Sequence, residues 1–147
     1  RAPHYPLPIP VIVESAEVRA QMHQQPPMDN IMHLAAKADV RFVGVGDLGA
    51  DAPLYIDGFI SRDELQSLQK NGGIGEVVSW SFDENGAILD HDVNHRVTSA
   101  PIHIPAQNTI AVAKGAKKVA AIRGAMRGKL ITTLITDEAT AEALLQS

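Results

Sequence analysis

The apolar positions of this chain change period several times, and each change marks an element. The run Val40-Arg41-Phe42-Val43-Gly44-Val45 is apolar except for Arg41 and predicts a buried parallel strand. Ahead of it, Ile31, Leu34, Ala35 and Ala38 recur at helical spacing behind Pro26-Pro27. Pro27 suits a first helical turn. Residues 9–13 read as a short apolar strand, after which Ser15 caps a helix carrying Val18 and Met22. Ser61 with Glu64 three residues on forms a capping box, Leu65 and Leu68 give that helix its apolar face, and Asn71-Gly72-Gly73 ends it. Residues 77–82 alternate as one strand, and Asp83-Glu84-Asn85-Gly86 predicts a hairpin turn. Ile88, Leu89, Val93 and Val97 suggest a small antiparallel excursion. From Asn108 onward the pattern is strand, glycine turn, helix, strand and capped helix. Strands alternating with helices predict an α/β fold with a mainly parallel sheet flanked by helices. Its expected core is Val11, Val13, Leu34, Phe42, Val43, Val45, Ile110, Val112, Ile122, Leu130, Leu134 and Ile135.

At 147 residues the chain is one domain or most of one. No apolar run approaches the length of a membrane span, and no signal peptide is visible. The absence of cysteine excludes disulfide and thiolate chemistry and fits a cytoplasmic setting. Charge is segregated. Residues 1–92 hold six basic and fourteen acidic side chains, whereas residues 93–136 hold seven basic and no acidic ones. The net charge of −4 argues against a duplex-DNA-binding face. The basic stretch is local, on the scale of one small anion.

Several motifs bear on chemistry. Gly44-Val45-Gly46-Asp47-Leu48-Gly49 matches G-x-G-x-x-G after a strand, but Asp51-Ala52-Pro53 follows where a dinucleotide site needs a helix to open. What remains is a glycine-lined strand end that lets a ligand approach the backbone. Asn71-Gly72-Gly73-Ile74-Gly75-Glu76 delivers one carboxylate among glycines, suited to sugar hydroxyls or simply a helix end with a solvated glutamate. Ala113-Lys114-Gly115-Ala116-Lys117-Lys118 lies on a strand-to-helix turn. A lysine in a first helical turn opposes the helix dipole unless an anion joins it, or else it is merely solvated. Arg123 and Arg127 share one side of the next helix, facing solvent, an acidic partner or the acidic tail. His91 and His95 are four apart, but the segment does not read as helical, so no metal site is expected. No elbow motif supports Ser/His/Asp catalysis, and no cofactor is expected.

The same residues carry a family resemblance. The segment Val119-Ala-Ala-Ile-Arg-Gly-Ala-Met-Arg-Gly-Lys-Leu-Ile-Thr-Thr-Leu-Ile-Thr-Asp-Glu-Ala-Thr-Ala-Glu-Ala-Leu-Leu145 is similar to the C-terminal signature of SorC/DeoR-type bacterial transcriptional regulators. So are Ala38-Asp39-Val40 through Gly44-Val45-Gly46, Gly58-Phe59-Ile60-Ser61, Gly75-Glu76 ahead of Phe82-Asp83-x-x-Gly86, and Asn94-x-Arg96-Val97. The resemblance implies a non-catalytic effector-binding and oligomerisation domain with a fold like that of sugar-phosphate isomerases and CoA-transferases (NagB/RpiA-like). It implies a small phosphorylated sugar or polyol effector, a homo-oligomer (dimer or tetramer) and contact with operator DNA through an N-terminal helix-turn-helix. Residues 1–147 would be the C-terminal part of that effector domain, without the helix-turn-helix or the first phosphate loop. By position, Glu76 and Lys118 would contact the effector, with Gly46, Asp47, Lys114 and Gly115 around them. The family commonly has aspartate where Glu76 stands and two glycines where Lys114-Gly115 stands. The alternative is an enzyme of the same fold, a sugar-phosphate isomerase or a CoA-transferase. Glu84-Asn85-Gly86 has the look of a CoA-transferase nucleophile motif, but hairpin chemistry also accounts for it.

Overall fold

The computed structural model describes residues 3–102 and 108–146; the first two residues of the proline-rich lead-in lie outside this range. In chain order the elements are α1 (Ala16–His23), α2 (Pro26–Ala36), β1 (Val40–Val43), β2 (Gly46–Asp47), α3 (Pro53–Ile56), α4 (Arg62–Lys70), β3 (Gly75–Val77), β4 (Trp80–Phe82), α5 (Asp92–His95), β5 (Asn108–Val112), a 3₁₀ turn (Ala116–Lys118), α6 (Val119–Arg127), β6 (Thr133–Ile135) and α7 (Glu138–Leu145). They build a mixed α/β fold with two small sheets. One is parallel, in the order β1-β5-β6; the other is antiparallel, in the order β2-β3-β4.

The helices begin where their caps stand. Ser15 Oγ accepts from Val18 N–H, Ser61 and Glu64 form the reciprocal box, Asp137 accepts from Thr140 N–H, and both prolines at the start of α2 occupy its first turn. Arg41 is tolerated in β1 because its guanidinium reaches the Pro101 carbonyl at 2.7 Å.

Two apolar clusters hold the chain. The first joins Val45, Val77, Phe82, Ala111, Ala121, Ile122, Ala125 and Leu130, between the parallel sheet, α6 and the β3–β4 hairpin. The second joins Leu48, Ala52, Leu54, Ile60, Leu65, Leu68 and Val93 around α3, α4 and α5. Gly75 explains how close α6 comes to β3: a Cβ there would meet Ala121 Cβ at 2.6 Å and Phe82 Cζ at 2.8 Å.

Three sequence expectations are corrected. First, residues 9–13 form no strand; only Ile12 bridges, antiparallel, to Val97, while Val13 N–H bonds the Arg96 carbonyl at 3.1 Å. Second, residues 77–82 are not one strand but a hairpin, β3 turning at Val78-Ser79 into β4. Third, part of the expected core is exposed. Val13, Val45, Ile122 and Leu130 are buried and Val11, Val43, Ile110 and Leu134 half-buried. Phe42 is 70% exposed, and Leu34, Val112 and Ile135 are also open to solvent. The register explains the three strand residues. Parallel partners share a face, so Val43, Ala111 and Leu134 point to the helix-covered side, while Phe42, Ile110, Val112 and Ile135 point to a side that no described residue covers well. A run apolar on both faces reads as doubly buried, yet here one face lies open.

Candidate functional site

Glu76 stands in the middle strand of the antiparallel sheet, with Gly46 opposite it on β2 and Ser81 opposite it on β4. Its side chain folds back over β2. Oε2 accepts the Ser79 N–H at 2.6 Å, and the Gly46 N–H lies near enough to the carboxylate to favour its charged form. Burial raises its pKa above the ordinary carboxylate value, opposed by those two N–H groups and by the charge of Lys118. The turn that supplies the Ser79 N–H is itself unusual. Val78 has φ 50° and Ser79 φ 71°, so both central residues sit in the left-handed region that primed hairpin turns require. A β-branched residue there is strained. Val78 is nonetheless held, and its side chain projects into the adjoining cleft.

That cleft, about 500 Å³, lies beyond the end of β1. Glu76, Lys118 and Gly46 all line it, with Gly44, Asp57, Phe59 and Val78. Lys118 arrives from the 3₁₀ turn at the start of α6, so its ammonium stands beside a helix N-terminus whose dipole disfavours a lone cation. The combination is chemically legible. The half-buried Glu76 carboxylate can accept from hydroxyls, the Lys118 ammonium can meet an anion, and apolar walls flank both.

The other candidates fall elsewhere. Asp47 is spent locally, accepting the Gly49 N–H at 3.0 Å, and is not among the cleft-lining residues. Lys114 lines a second cavity of about 450 Å³ with Val112, Ile135, Thr136 and Asp137; Lys118 forms a wall of both cavities. Gly115, at φ 111°, gives the turn its left-handed residue, and its N–H goes to Thr140 Oγ1 at 2.8 Å rather than to either cavity. Lys117 pairs with exposed Asp51 at 3.2 Å. Arg123 and Arg127 bond backbone carbonyls: Arg123 those of Ala143 and Leu144 in α7, and Arg127 that of Glu84.

The histidine segment does become a short helix, α5, against expectation, with His91 as its cap. His91 Nδ1 accepts the Val93 N–H at 3.1 Å, so Nε2 carries the proton and faces Ser67 Oγ at 2.9 Å. That tautomer donates to the serine and does not activate it as a nucleophile. His95 pairs with Asp90 instead, and among the described residues no three metal-ligating side chains converge. Glu84 lies on an exposed turn closed by Asp83, whose Oδ1 accepts from Asn85 and Ala87 N–H at 2.9 Å. Sequence reasoning missed Val78, Asp57 and Phe59 as cleft residues. Val78 has no glycine or asparagine beside it to signal a turn, and the other two reach the cleft only through tertiary packing.

A fold with a ligand-sized cleft at the strand ends, lined by Glu76, Asp57 and Lys118, is that of a small-molecule sensor or enzyme, and comparison with known proteins narrows it. A family model described as "Putative sugar-binding domain" matches residues 1–146. The erythritol catabolism regulatory protein EryD of Brucella abortus is 31% identical over 97% of this chain and 46% of its own length. The deoxyribonucleoside regulator of Bacillus subtilis is 30% identical, with the same coverage. The crystal structure of the full-length sorbitol operon regulator SorC from Klebsiella pneumoniae superposes with a TM-score of 0.88 at 25% identity, covering 95% of this chain and 46% of that one. The chain therefore belongs to the sugar-binding domain family of SorC/DeoR-type transcriptional regulators. It spans about half the length of the curated relatives it matches. No helix among the described residues is long and apolar enough to cross a membrane.

Proposed function

We propose that this chain is the effector-sensing part of a carbohydrate-responsive regulator and that it binds a phosphorylated sugar or polyol without transforming it. The observation that carries the reading is the convergence of Glu76 and Lys118 on one cleft beside Gly46. Glu76 accepts from effector hydroxyls and Lys118 meets the anionic end. The regulator works in the cytoplasm as a homo-oligomer, and operator DNA is contacted by a part of it outside this chain. The relatives' names, which refer to erythritol and deoxyribonucleoside control, support a polyhydroxylated ligand class. The His91–Ser67 geometry and the exposed Glu84 turn speak against the enzymatic alternative, since neither places a nucleophile in the cleft.

The discriminating experiment incubates the full-length regulator with a panel of pentose, hexose and polyol phosphates. Saturable binding with the ligand recovered unchanged is expected. Turnover of a bound sugar phosphate, or acyl transfer from a CoA thioester, would replace the sensor reading with the enzymatic one.

A further inference from the structure

The seat of Glu76 makes a demand on the residue across the ladder. A Cβ built on Gly46 would overlap Oε1 of Glu76 and lie 3.0 Å from its Cδ and 3.1 Å from its Cγ. All three atoms belong to the same side chain. Backbone conformation does not ask for glycine there, because Gly46 is not among the residues with positive φ. Gly44, two residues earlier, has no neighbour within 4 Å of its would-be Cβ, so the crowding is specific to position 46. The carboxylate is thus folded onto the bare backbone of Gly46, with Oε2 held by the Ser79 N–H.

We infer that Gly46 is a positioning residue for Glu76, and that the missing side chain at 46 and the length of the acid at 76 act as one specificity-determining unit. Glutamate is one methylene longer than aspartate, and in this structure that extra length is folded over Gly46. An alanine at 46 displaces the carboxylate from the Ser79 N–H and turns it away from the hydroxyls it is to accept. An aspartate at 76 removes the overlapping Oε1 and Cδ and leaves only the Cγ position, 3.1 Å from the Cβ, so most of the clash is relieved. The geometric part stands on the structure alone; its consequence for ligand selection rests on the reading of Glu76 as an effector contact.

The test is a double-mutant cycle in the full-length regulator with wild type, Gly46→Ala, Glu76→Asp and the pair. Urea unfolding reads the geometry. Calorimetry with D-ribose 5-phosphate and D-glucitol 6-phosphate as probes reads the consequence. In the Glu76 background, Gly46→Ala should raise the unfolding constant about tenfold, because displacing the carboxylate leaves the buried Ser79 N–H without its acceptor. It should also weaken the bound probe by about tenfold or more, as loss of a charged hydrogen bond does. In the Glu76→Asp background the same substitution should change both by less than about threefold, because contacting sites couple. Should Gly46→Ala alone fail to fold, recovery of folding in the pair supports the inference. An equal effect of Gly46→Ala in both backgrounds, or none in either, overturns it. If neither probe binds the wild type, the unfolding cycle still decides the positioning role, and the full panel of sugar and polyol phosphates decides the effector reading.

Discussion

Glu76 is the residue at which stability and recognition pull against each other. Burial penalises its charge, and the two N–H groups and Lys118 offset that only in part, so its pKa lies above the ordinary 4.5. The folded state therefore holds the proton more tightly than the unfolded one. Its contribution is most favourable below pH 4.5, declines as pH rises from there through the raised folded value, and stays unfavourable above it. Stability of the wild type relative to Glu76→Gln should accordingly fall as pH rises from 4.5 through the raised folded value and then level off, measured by urea unfolding from acid to neutral pH. A difference that is flat or rises with pH would contradict the burial argument. Glu64 titrates with the opposite sign: its bonds to Ser61 and Arg96 hold its pKa low, so its contribution is present at neutral pH and lost in acid. At this scale the sequence was readable where a residue type was chemically conspicuous, as with a carboxylate among glycines or a lysine at a helix start. It was silent on Val78-Ser79, because a left-handed valine leaves no compositional trace. It was silent too on why residue 75 is glycine, which only the approach of Ala121 and Phe82 explains.

Among the elements, those with local determinants were legible. The caps at Ser15, Ser61 and Asp137 start helices where the sequence places them. Elements defined by a distant partner were not. Residues 9–13 look like a strand, but the 96–98 segment offers them only a bridge and a few bonds. The basic face of α6 was open to several readings, and the structure turns it into a clamp. Arg123 reaches over α7 and bonds the Ala143 and Leu144 carbonyls at 3.1 and 3.5 Å, in the last turn of that helix. Arg123→Ala should cost about 1 kcal/mol and speed amide exchange through α7, while effector affinity stays unchanged. Unaltered exchange in α7 would show that the clamp contributes nothing.

For the molecule as a whole, the two sheets divide the labour. The antiparallel sheet presents Glu76, and the parallel sheet, through the turn after β5, presents Lys118; the cleft is where they meet. The open face carrying Phe42, Val112 and Ile135 borders both cavities, since Phe42 lines one and Val112 and Ile135 the other. An apolar sheet face of this kind is a surface for further packing, so ligand binding is best measured in the full-length regulator. The most direct measurement is calorimetry there, using whichever sugar or polyol phosphate binds tightest, with wild type and Lys118→Ala compared under conditions where both are folded. A charge-assisted contact is worth roughly 1.5–3 kcal/mol, so the account predicts affinity weakened about tenfold or more with little change in unfolding. Unchanged affinity in folded Lys118→Ala would contradict it and return the basic turn to a solvated start of α6.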